Sequence, residues 1–195
     1  MRYFSLIVLF FSFAVKAKIE TAIFAGGCFW CIQKDFDQNF KKGIINSTVG
    51  YDGGIKQYPT YEDVSSGKTK YLEVVKIKYD SNIVGYEKLL NFFFRQIDPY
   101  DDRGQFCDKG LQYTSAIFYL NNRQYKLAKK ILAETDKLNE SQIIKTKILK
   151  STTFYPAESY HQKYYKKNPV KYQFYRWKCG RDDKLKDIWG NSPLK

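Results

Sequence analysis

The chain has 195 residues, of which 44% are hydrophobic and 18% aromatic. This length suits one domain with a full core, and the composition excludes a chain that is disordered throughout. A formal net charge of +13 favours acidic partners or anionic surfaces. Because the lysines are spread through the predicted helices and the C-terminal half rather than gathered in one stripe, we expect no nucleic-acid binding.

The first 17 residues differ from the rest of the chain. Arg2 is followed by an apolar stretch over residues 3–15, broken only by two serines, and then by Lys16 and Ala17. The stretch has the length of a signal-peptide core and is too short for a comfortable membrane span. We therefore predict a cleaved secretory signal peptide over residues 1–17 and a single domain over residues 18–195. The protein is then exported and periplasmic with no stable membrane insertion; an uncleaved membrane anchor is the alternative.

Hydrophobic periodicity and turn signals divide the remaining chain into alternating strands and helices. The pattern predicts strands at residues 21–25, 44–50, 71–79, 113–120 and 145–149. It predicts helices at residues 31–40, 86–96, 123–138 and 157–166, with long loops at residues 51–67 and 99–112. Phe36 and Phe40 should share one face of the first helix, and Val75, Ile77 and Tyr79 one face of the third strand. This order indicates an α/β (α+β) two-layer sandwich, with a mixed sheet flanked by helices around a ferredoxin-like core. The segment from residue 168 has no clear period, and we expect it to form a long irregular C-terminal tail.

The first predicted strand leads into an unusual cysteine. Gly26 and Gly27 allow a tight turn, which places Cys28 at the start of the following helix. The positive end of a helix favours the thiolate form of a cysteine, and Phe29 and Trp30 can line an apolar pocket beside it. These features are typical of a nucleophile. The alternative is a buried or disulfide-bonded structural cysteine.

The chain has four cysteines, which in an exported protein suggests disulfides and allows three pairings. Cys28 and Cys31 form a CxxC pair, whereas Cys107 and Cys179 are isolated. One close pair without a second is weak evidence for a structural zinc site. The spacing therefore favours redox chemistry, and we predict no metal.

Six short motifs occur in an order that resembles the A-type peptide-methionine sulfoxide reductases, over roughly residues 20 to 179. They are Gly27-Cys28-Phe29-Trp30, Pro59-Thr60-Tyr61-Glu62, Glu73-Val74, Asp98-Pro99, Asp108-Lys109-Gly110-Leu111-Gln112-Tyr113 and Phe154-Tyr155-Pro156-Ala157-Glu158. The resemblance implies an enzyme that repairs methionine sulfoxide in proteins and peptides, acts on the S-epimer and needs no cofactor. It also implies reduction by thioredoxin or a thioredoxin-like protein. We expect a monomer.

The resemblance assigns a role to each matching residue. Cys28 corresponds to the nucleophile that attacks the sulfoxide sulfur, and Glu73 to the acid that protonates the sulfoxide oxygen. Tyr61 and Tyr113 correspond to hydroxyl donors to that oxygen, and Asp108 to a polar partner in the pocket. Phe29 and Trp30 correspond to the walls that receive the S-methyl group. A carboxylic acid in an apolar pocket can donate a proton at neutral pH, which supports the role of Glu73 independently.

The cysteine that resolves the oxidised nucleophile is left open by the sequence. Cys31 is nearest along the chain, and Cys107 adjoins Asp108, so we rank these two as equal candidates. Cys179 is a candidate relay. A general thiol–disulfide oxidoreductase that uses Cys28 and Cys31 is a second hypothesis, and a basic binding module without enzymatic activity is a third.

Four positions depart from the family pattern. Tyr100 stands where the Asp-Pro motif usually continues with threonine. Tyr71 stands where a histidine usually precedes the catalytic glutamate, and Leu111 and Thr114 replace the usual threonine and arginine around the Gln-Tyr pair. None of these removes a proposed catalytic group, so we expect effects on rate and substrate preference only. We predict a structural or supporting role for His161, the only histidine.

Overall fold

The computed structural model describes residues 17–139 and 141–190. Eight strands are found in these ranges: β1 Ile19–Gly26, β2 Ile44–Asp52, β3 Leu72–Asp80, β4 Gly104–Gln105, β5 Asp108–Lys109, β6 Ser115–Tyr119, β7 Lys147–Lys150 and β8 Tyr155–Pro156. Seven α-helices accompany them: α1 Phe29–Asn39, α2 Tyr61–Ser65, α3 Tyr86–Phe94, α4 Asn122–Asp136, α5 Tyr164–Lys167, α6 Pro169–Lys178 and α7 Arg181–Trp189. The predicted signal peptide, apart from Ala17, lies outside the described residues.

The main sheet has six strands in the order β7-β6-β1-β3-β2-β8. All neighbouring pairs are antiparallel except β6 and β7, which are parallel, so the sheet is mixed as predicted. Its four central strands come from two β-α-β units, β1-α1-β2 and β3-α3-β6, whose strands interleave. This arrangement is the predicted ferredoxin-like core.

The larger core lies between one face of the sheet and helices α1, α3 and α4. Phe24 of β1 stacks on Phe36 of α1 with ring centroids 5.2 Å apart, and on Phe93 of α3 at 4.9 Å. Helices α1 and α3 both present apolar residues at helical spacing to this face, so the burial of these residues follows from the sequence pattern. The predicted common faces of Phe36 with Phe40, and of Val75 with Ile77 and Tyr79, are confirmed because all five side chains are in this core.

A smaller aromatic cluster lies on the same face of the sheet, since its Val49 pairs in register with Val75 of the larger core. Phe29 and Val49 pack there with Tyr51 and Tyr71, and all four are buried. The cluster connects the start of α1 to β2 and β3. This cluster supports the residues of the candidate site.

The structure corrects three expectations. The segment from residue 168 is not an irregular tail, since it forms α6 and α7 up to Trp189. Its pattern is obscured because Phe174 and Trp177 of α6 are exposed although apolar. The two helices are divided by Gly180, whose φ of 64° is left-handed.

The other two corrections concern shorter segments. The helix predicted at residues 157–166 is wrong for most of its length: turns lead to the four-residue α5, Tyr164–Lys167. The loop predicted at residues 51–67 contains α2, which begins with a capping box between Thr60 and Asp63. Among the described residues, no helix combines the length and apolar character that crossing a membrane requires.

Candidate active site

The turn between β1 and α1 presents Cys28 at the start of the helix, as predicted. Gly27 has a φ of 78°, and a Cβ atom there would lie 2.5 Å from the Cβ of Gln105. Only glycine fits this left-handed and crowded position without strain. Cys28 follows as the N-cap residue of α1, and its carbonyl accepts hydrogen bonds from the backbone N–H groups of Cys31 and Ile32.

Cys28 opens into a small cavity of about 70 Å³. The cavity brings together all seven residues to which a role was assigned: Cys28, Phe29, Trp30, Tyr61, Glu73, Asp108 and Tyr113. It also contains Tyr175, which was not assigned. Its volume leaves room for only a few heavy atoms. The site can therefore enclose the end of a small side chain but not a bulky group.

Glu73 of β3 lies at the bottom of this cavity, with 3% of its surface exposed. One carboxyl oxygen, Oε2, accepts a hydrogen bond from the backbone N–H of Phe29 at 3.0 Å. Burial raises the pKa of Glu73 to about 8, against the opposing effect of the Phe29 N–H bond, and the nearby carboxyl of Asp108 raises it further. Glu73 is therefore a neutral acid, able to donate a proton, over most of the physiological pH range.

Two tyrosine hydroxyls lie close to Glu73. Burial together with the charge of Glu73 raises the pKa of Tyr61 to about 12, and the hydroxyl of Tyr113 opposes this rise. The pKa of Tyr113 is raised by the same two causes. Both phenols remain protonated at neutral pH and can donate to an oxygen atom in the cavity.

Glu158 fixes the position of Tyr61. Its carboxylate accepts from the backbone N–H of Tyr61 at 2.8 Å and from the hydroxyl of Tyr51 at 2.9 Å. The sequence motif contained Glu158 but suggested no role for it. The structure shows that this carboxylate ties the first residue of α2 to the aromatic cluster.

Asp108 reaches the cavity from the short hairpin of β4 and β5. The hydroxyl of Tyr175 donates to its Oδ2 at 2.6 Å. Burial raises the pKa of Asp108, and the Tyr175 bond and the positive charge of Arg181 oppose this rise. Sequence reasoning missed Tyr175 because α6 was not recognised. Pro169 at the first helical turn and Gly180 after the last were the available signals.

Aromatic rings form the apolar wall of the cavity. The indole N–H of Trp30 donates to Nδ1 of His161 at 3.2 Å, and its ring stacks on Tyr164 with centroids 3.9 Å apart. His161 is buried, which lowers its pKa, and it lies between the rings of Phe29 and Tyr61. These contacts fix the orientation of the Trp30 indole, in line with the predicted supporting role of His161.

Cys28 and Cys31 are both free, buried thiols that pack in one cluster. Burial raises the pKa of Cys28 well above its ordinary value, and Cys31, Glu73 and Asp108 add to this effect. The hydrogen bond from Cys28 lowers the pKa of Cys31 to about 7 despite burial. Burial therefore opposes the preference of the helix start for the Cys28 thiolate, which stays a prediction.

The other two cysteines are joined to each other. A disulfide links Cys107, which follows β4, to Cys179 at the end of α6. Together with Asp108 these cysteines make a cluster with the spacing of metal ligands in the described part of the chain. Their sulfurs are used by the disulfide, so the cluster does not offer two thiolates.

Comparison with known proteins agrees with this arrangement. The family model described as peptide methionine sulfoxide reductase matches residues 20–193. The chain is 48% identical over 180 residues to peptide methionine sulfoxide reductase MsrA of Bacillus subtilis, covering 90% of this chain and 99% of that one. It is 46% identical over 178 residues to peptide methionine sulfoxide reductase MsrA/MsrB of Vibrio cholerae, covering 91% of this chain but only 47% of that longer protein.

Solved structures show the same fold. Mxr1 from Saccharomyces cerevisiae in reduced form matches with a TM-score of 0.75 at 33% identity, covering 78% of this chain and 87% of the other. Methionine sulfoxide reductase A of Corynebacterium diphtheriae matches with a TM-score of 0.68 at 29% identity, covering 78% and 76%. Sequence, fold and cavity agree, and the chain belongs to the peptide methionine sulfoxide reductase family.

Proposed function

We propose that this protein reduces the S-epimer of methionine sulfoxide in proteins and peptides to methionine. The observation that carries the proposal is that one cavity holds a cysteine, a neutral buried acid and two protonated phenols. Sulfoxide oxygen leaves sulfur only if it gains a proton as sulfur is attacked. A buried acid and hydroxyl donors facing a thiol meet that requirement.

The chemistry begins at Cys28. Its sulfur attacks the sulfoxide sulfur, and Glu73 protonates the oxygen, while the hydroxyls of Tyr61 and Tyr113 stabilise the charge that develops there. This attack forms a bond between the two sulfurs; the protonated oxygen then transfers to the Cys28 sulfur as its bond to the methionine sulfur and the sulfur–sulfur bond both break, which releases methionine and leaves Cys28 as a sulfenic acid. The proton of the Cys28 thiol replaces the one lost by Glu73. Methionine is reduced by two electrons and Cys28 is oxidised by two.

We further propose that Cys31 resolves the sulfenic acid. Its thiol already contacts Cys28, whereas Cys107 and Cys179 are bonded to each other. Attack of Cys31 on the Cys28 sulfur forms a disulfide and releases water. An external dithiol then returns both thiols to the reduced state. Mxr1 has been solved in complex with Trx2, which supports a thioredoxin-like protein as the reductant.

The apolar wall of Phe29 and Trp30 accounts for recognition of the sulfoxide methyl group. The cavity is too small for a larger substituent, and its aromatic rings exclude water, which strengthens the polar contacts of Glu73. The signal-like sequence of residues 1–17 supports export to the periplasm. We propose that the protein acts there as a monomer.

A general thiol–disulfide oxidoreductase is less consistent with the site. The CxxC thiols would suit that chemistry, but disulfide exchange does not call for the two protonated phenols in the cavity. The cavity also contains a neutral acid that disulfide exchange does not need.

The experiment that tests the proposal uses the purified protein with each epimer of a methionine sulfoxide peptide and dithiothreitol as reductant. We expect turnover of the S-epimer, no turnover of the R-epimer, and none of either in Cys28→Ser. In the absence of dithiothreitol, the matched Cys31→Ser variant should still release about one methionine per protein before it stops. Activity retained in Cys28→Ser, or absent from the folded and reduced wild type, would contradict the proposal.

A further inference from the structure

Helix α6 has apolar side chains on the side that faces away from the protein. Val170, Phe174 and Trp177 are 81%, 60% and 74% exposed. Their spacing of four and three residues places them on one face of the helix, and the rings of Phe174 and Trp177 lie 5.9 Å apart between centroids. Tyr172 and Arg176, on the opposite face, are buried. We call Val170, Phe174 and Trp177 the α6 stripe.

The α6 stripe is unusual within this chain. Among the α-helices of the described residues, only α6 carries large apolar side chains that are exposed. The stripe lines one shallow groove of about 440 Å³ together with Pro169 and Gln173, so its side chains form a continuous surface. Single exposed apolar residues are ordinary, whereas a contiguous group on one element marks an interaction surface.

Positive charge flanks the α6 stripe. Residues 163–178 contain five lysines and one arginine but no acidic residue. Lys171 and Lys178 are exposed, and they lie three and four residues from Phe174, which places them along one side of the stripe. Neither lysine has a carboxylate within ion-pair distance among the described residues, whereas the two cations of this segment that pack inward are matched by carboxylates. The unmatched charge is therefore on the exposed side.

The acidic residues that follow along the chain do not cancel this charge. Asp182 and Asp183 lie in the first turn of α7. Asp182 is paired with Arg176 at 2.6 Å, and Asp183 with Lys186 at 3.7 Å. The α6 stripe therefore combines exposed aromatic rings with unpaired lysines, and the proposed reaction uses neither.

A phospholipid surface matches both features. Aromatic rings pack at the boundary between headgroups and acyl chains, and lysines bind the phosphates of anionic lipids. A second copy of the chain matches less well, since a two-fold contact through the stripe would bring the unpaired lysines of both copies together. The formal net charge of +13 acts in the same direction, because it attracts the whole protein to an anionic surface.

We propose that the α6 stripe binds reversibly to the surface of an anionic phospholipid bilayer. Phe174 and Trp177 enter the headgroup region, and Lys171 and Lys178 contact lipid phosphates. The helix needs no rearrangement, because its opposite face stays packed against the protein. This is attachment through one face, and the chain does not span the bilayer. The proposal is independent of the proposed function.

The test is co-sedimentation of the purified protein with vesicles of phosphatidylglycerol and phosphatidylcholine in equal parts, compared with vesicles of phosphatidylcholine alone. At about 0.1 M salt we expect at least about ten-fold tighter binding to the anionic vesicles, and loss of this preference at about 1 M salt. The fluorescence of Trp177 should shift to shorter wavelength on binding. No sulfoxide is present, so failure of this test is distinct from failure of the proposed reaction.

Variants of α6 separate the two parts of the surface. Phe174→Ser/Trp177→Ser should weaken binding at least about ten-fold, because it removes both rings. Lys171→Gln/Lys178→Gln should weaken binding to anionic vesicles about five-fold for each lysine. Trp177→Phe keeps an aromatic ring, so it should still bind but without most of the fluorescence shift. All these positions are exposed, so the variants should keep the circular dichroism of the wild type.

Two matched controls are available. Lys126→Gln/Lys129→Gln removes the same charge from exposed positions on α4. Ile55→Ser removes an apolar side chain that is 88% exposed but lies outside α6. Both controls should bind anionic vesicles as the wild type does.

Several results would overturn the proposal. They are equal binding to the two kinds of vesicle or binding to neither, unchanged binding of Phe174→Ser/Trp177→Ser, equal effects of the lysine substitutions on α4 and α6, and a fluorescence shift that persists in Trp177→Phe. Self-association that is abolished by Phe174→Ser/Trp177→Ser, without vesicle binding, would assign the stripe to a second copy instead.

Discussion

Replacing Glu73 by glutamine separates the acid from the shape of the cavity. Glutamine has nearly the same size, and its carbonyl oxygen can still accept the hydrogen bond from the Phe29 N–H. It cannot transfer a proton to the sulfoxide oxygen. Loss of a positioned general acid typically costs about 100-fold to 10,000-fold in rate. We therefore expect kcat for the S-sulfoxide to fall by at least about 100-fold, with a smaller change in KM.

The same substitution has a predictable effect on stability against pH. The pKa of Glu73 is about 8 in the folded protein and 4.5 in its ordinary state, so the folded protein holds a proton that the unfolded chain releases between those values. Stability from this group is fully present below the lower value and is lost as pH rises through the upper one. The loss amounts to roughly 1.4 kcal/mol per pH unit within that window. Glu73→Gln removes it.

The assay compares urea unfolding of the wild type and Glu73→Gln at about pH 5 and about pH 8. The variant should gain several kcal/mol relative to the wild type between these pH values, in parallel with its loss of turnover. Glu62→Gln is the control, because Glu62 is an exposed residue on α2 beside Tyr61. The reasoning is refuted if Glu73→Gln retains more than about a tenth of the activity, or if its stability difference from the wild type does not change with pH.

Three further predictions concern the frame of the site. Gly27→Ala should reduce both stability and turnover, measured by thermal unfolding and kcat, because its Cβ would lie 2.5 Å from that of Gln105 at a left-handed φ; a fully active variant would contradict this. Tyr175→Phe removes the 2.6 Å donor to Asp108 and should cost about 1–3 kcal/mol of stability with a measurable rise in KM, whereas unchanged values for both would argue against the contact. Cys107→Ser opens a disulfide that spans 72 residues and should lower the free energy of unfolding by about 4 kcal/mol. A single turnover of this variant should still yield about one methionine; loss of that first methionine would show that the disulfide takes part in the attack itself.

The sequence predicted the parts of the fold that depend on local pattern. The alternation of Val75, Ile77 and Tyr79 and the helical spacing of Phe36 and Phe40 identified the main core, and the order of strands and helices identified the mixed sheet. The C-terminal helices were missed because α6 carries apolar residues on its exposed side, so neither face reads as the buried one. Their burial depends on tertiary contacts such as that of Arg176 with Asp35, 141 residues apart.

The candidate site was predicted as a set of residues but not as an electrostatic system. The motif order correctly gathered Cys28, Glu73 and Asp108 in one cavity. It could not show how strongly burial opposes the helix end at Cys28, because desolvation depends on what covers the thiol. Nor could it indicate Tyr175 or Arg181, which reach the site from helices that the sequence pattern did not reveal.

The most direct test of the central claim is a single turnover followed by peptide mapping. The fully reduced protein is mixed with one equivalent of S-sulfoxide peptide without any external reductant, quenched with an alkylating reagent and digested. The account predicts one methionine per protein and a new disulfide between Cys28 and Cys31, and a sulfenic acid on Cys28 when Cys31 is replaced by serine. Methionine release with Cys28 still reduced, or oxidation confined to Cys107 and Cys179, would contradict it.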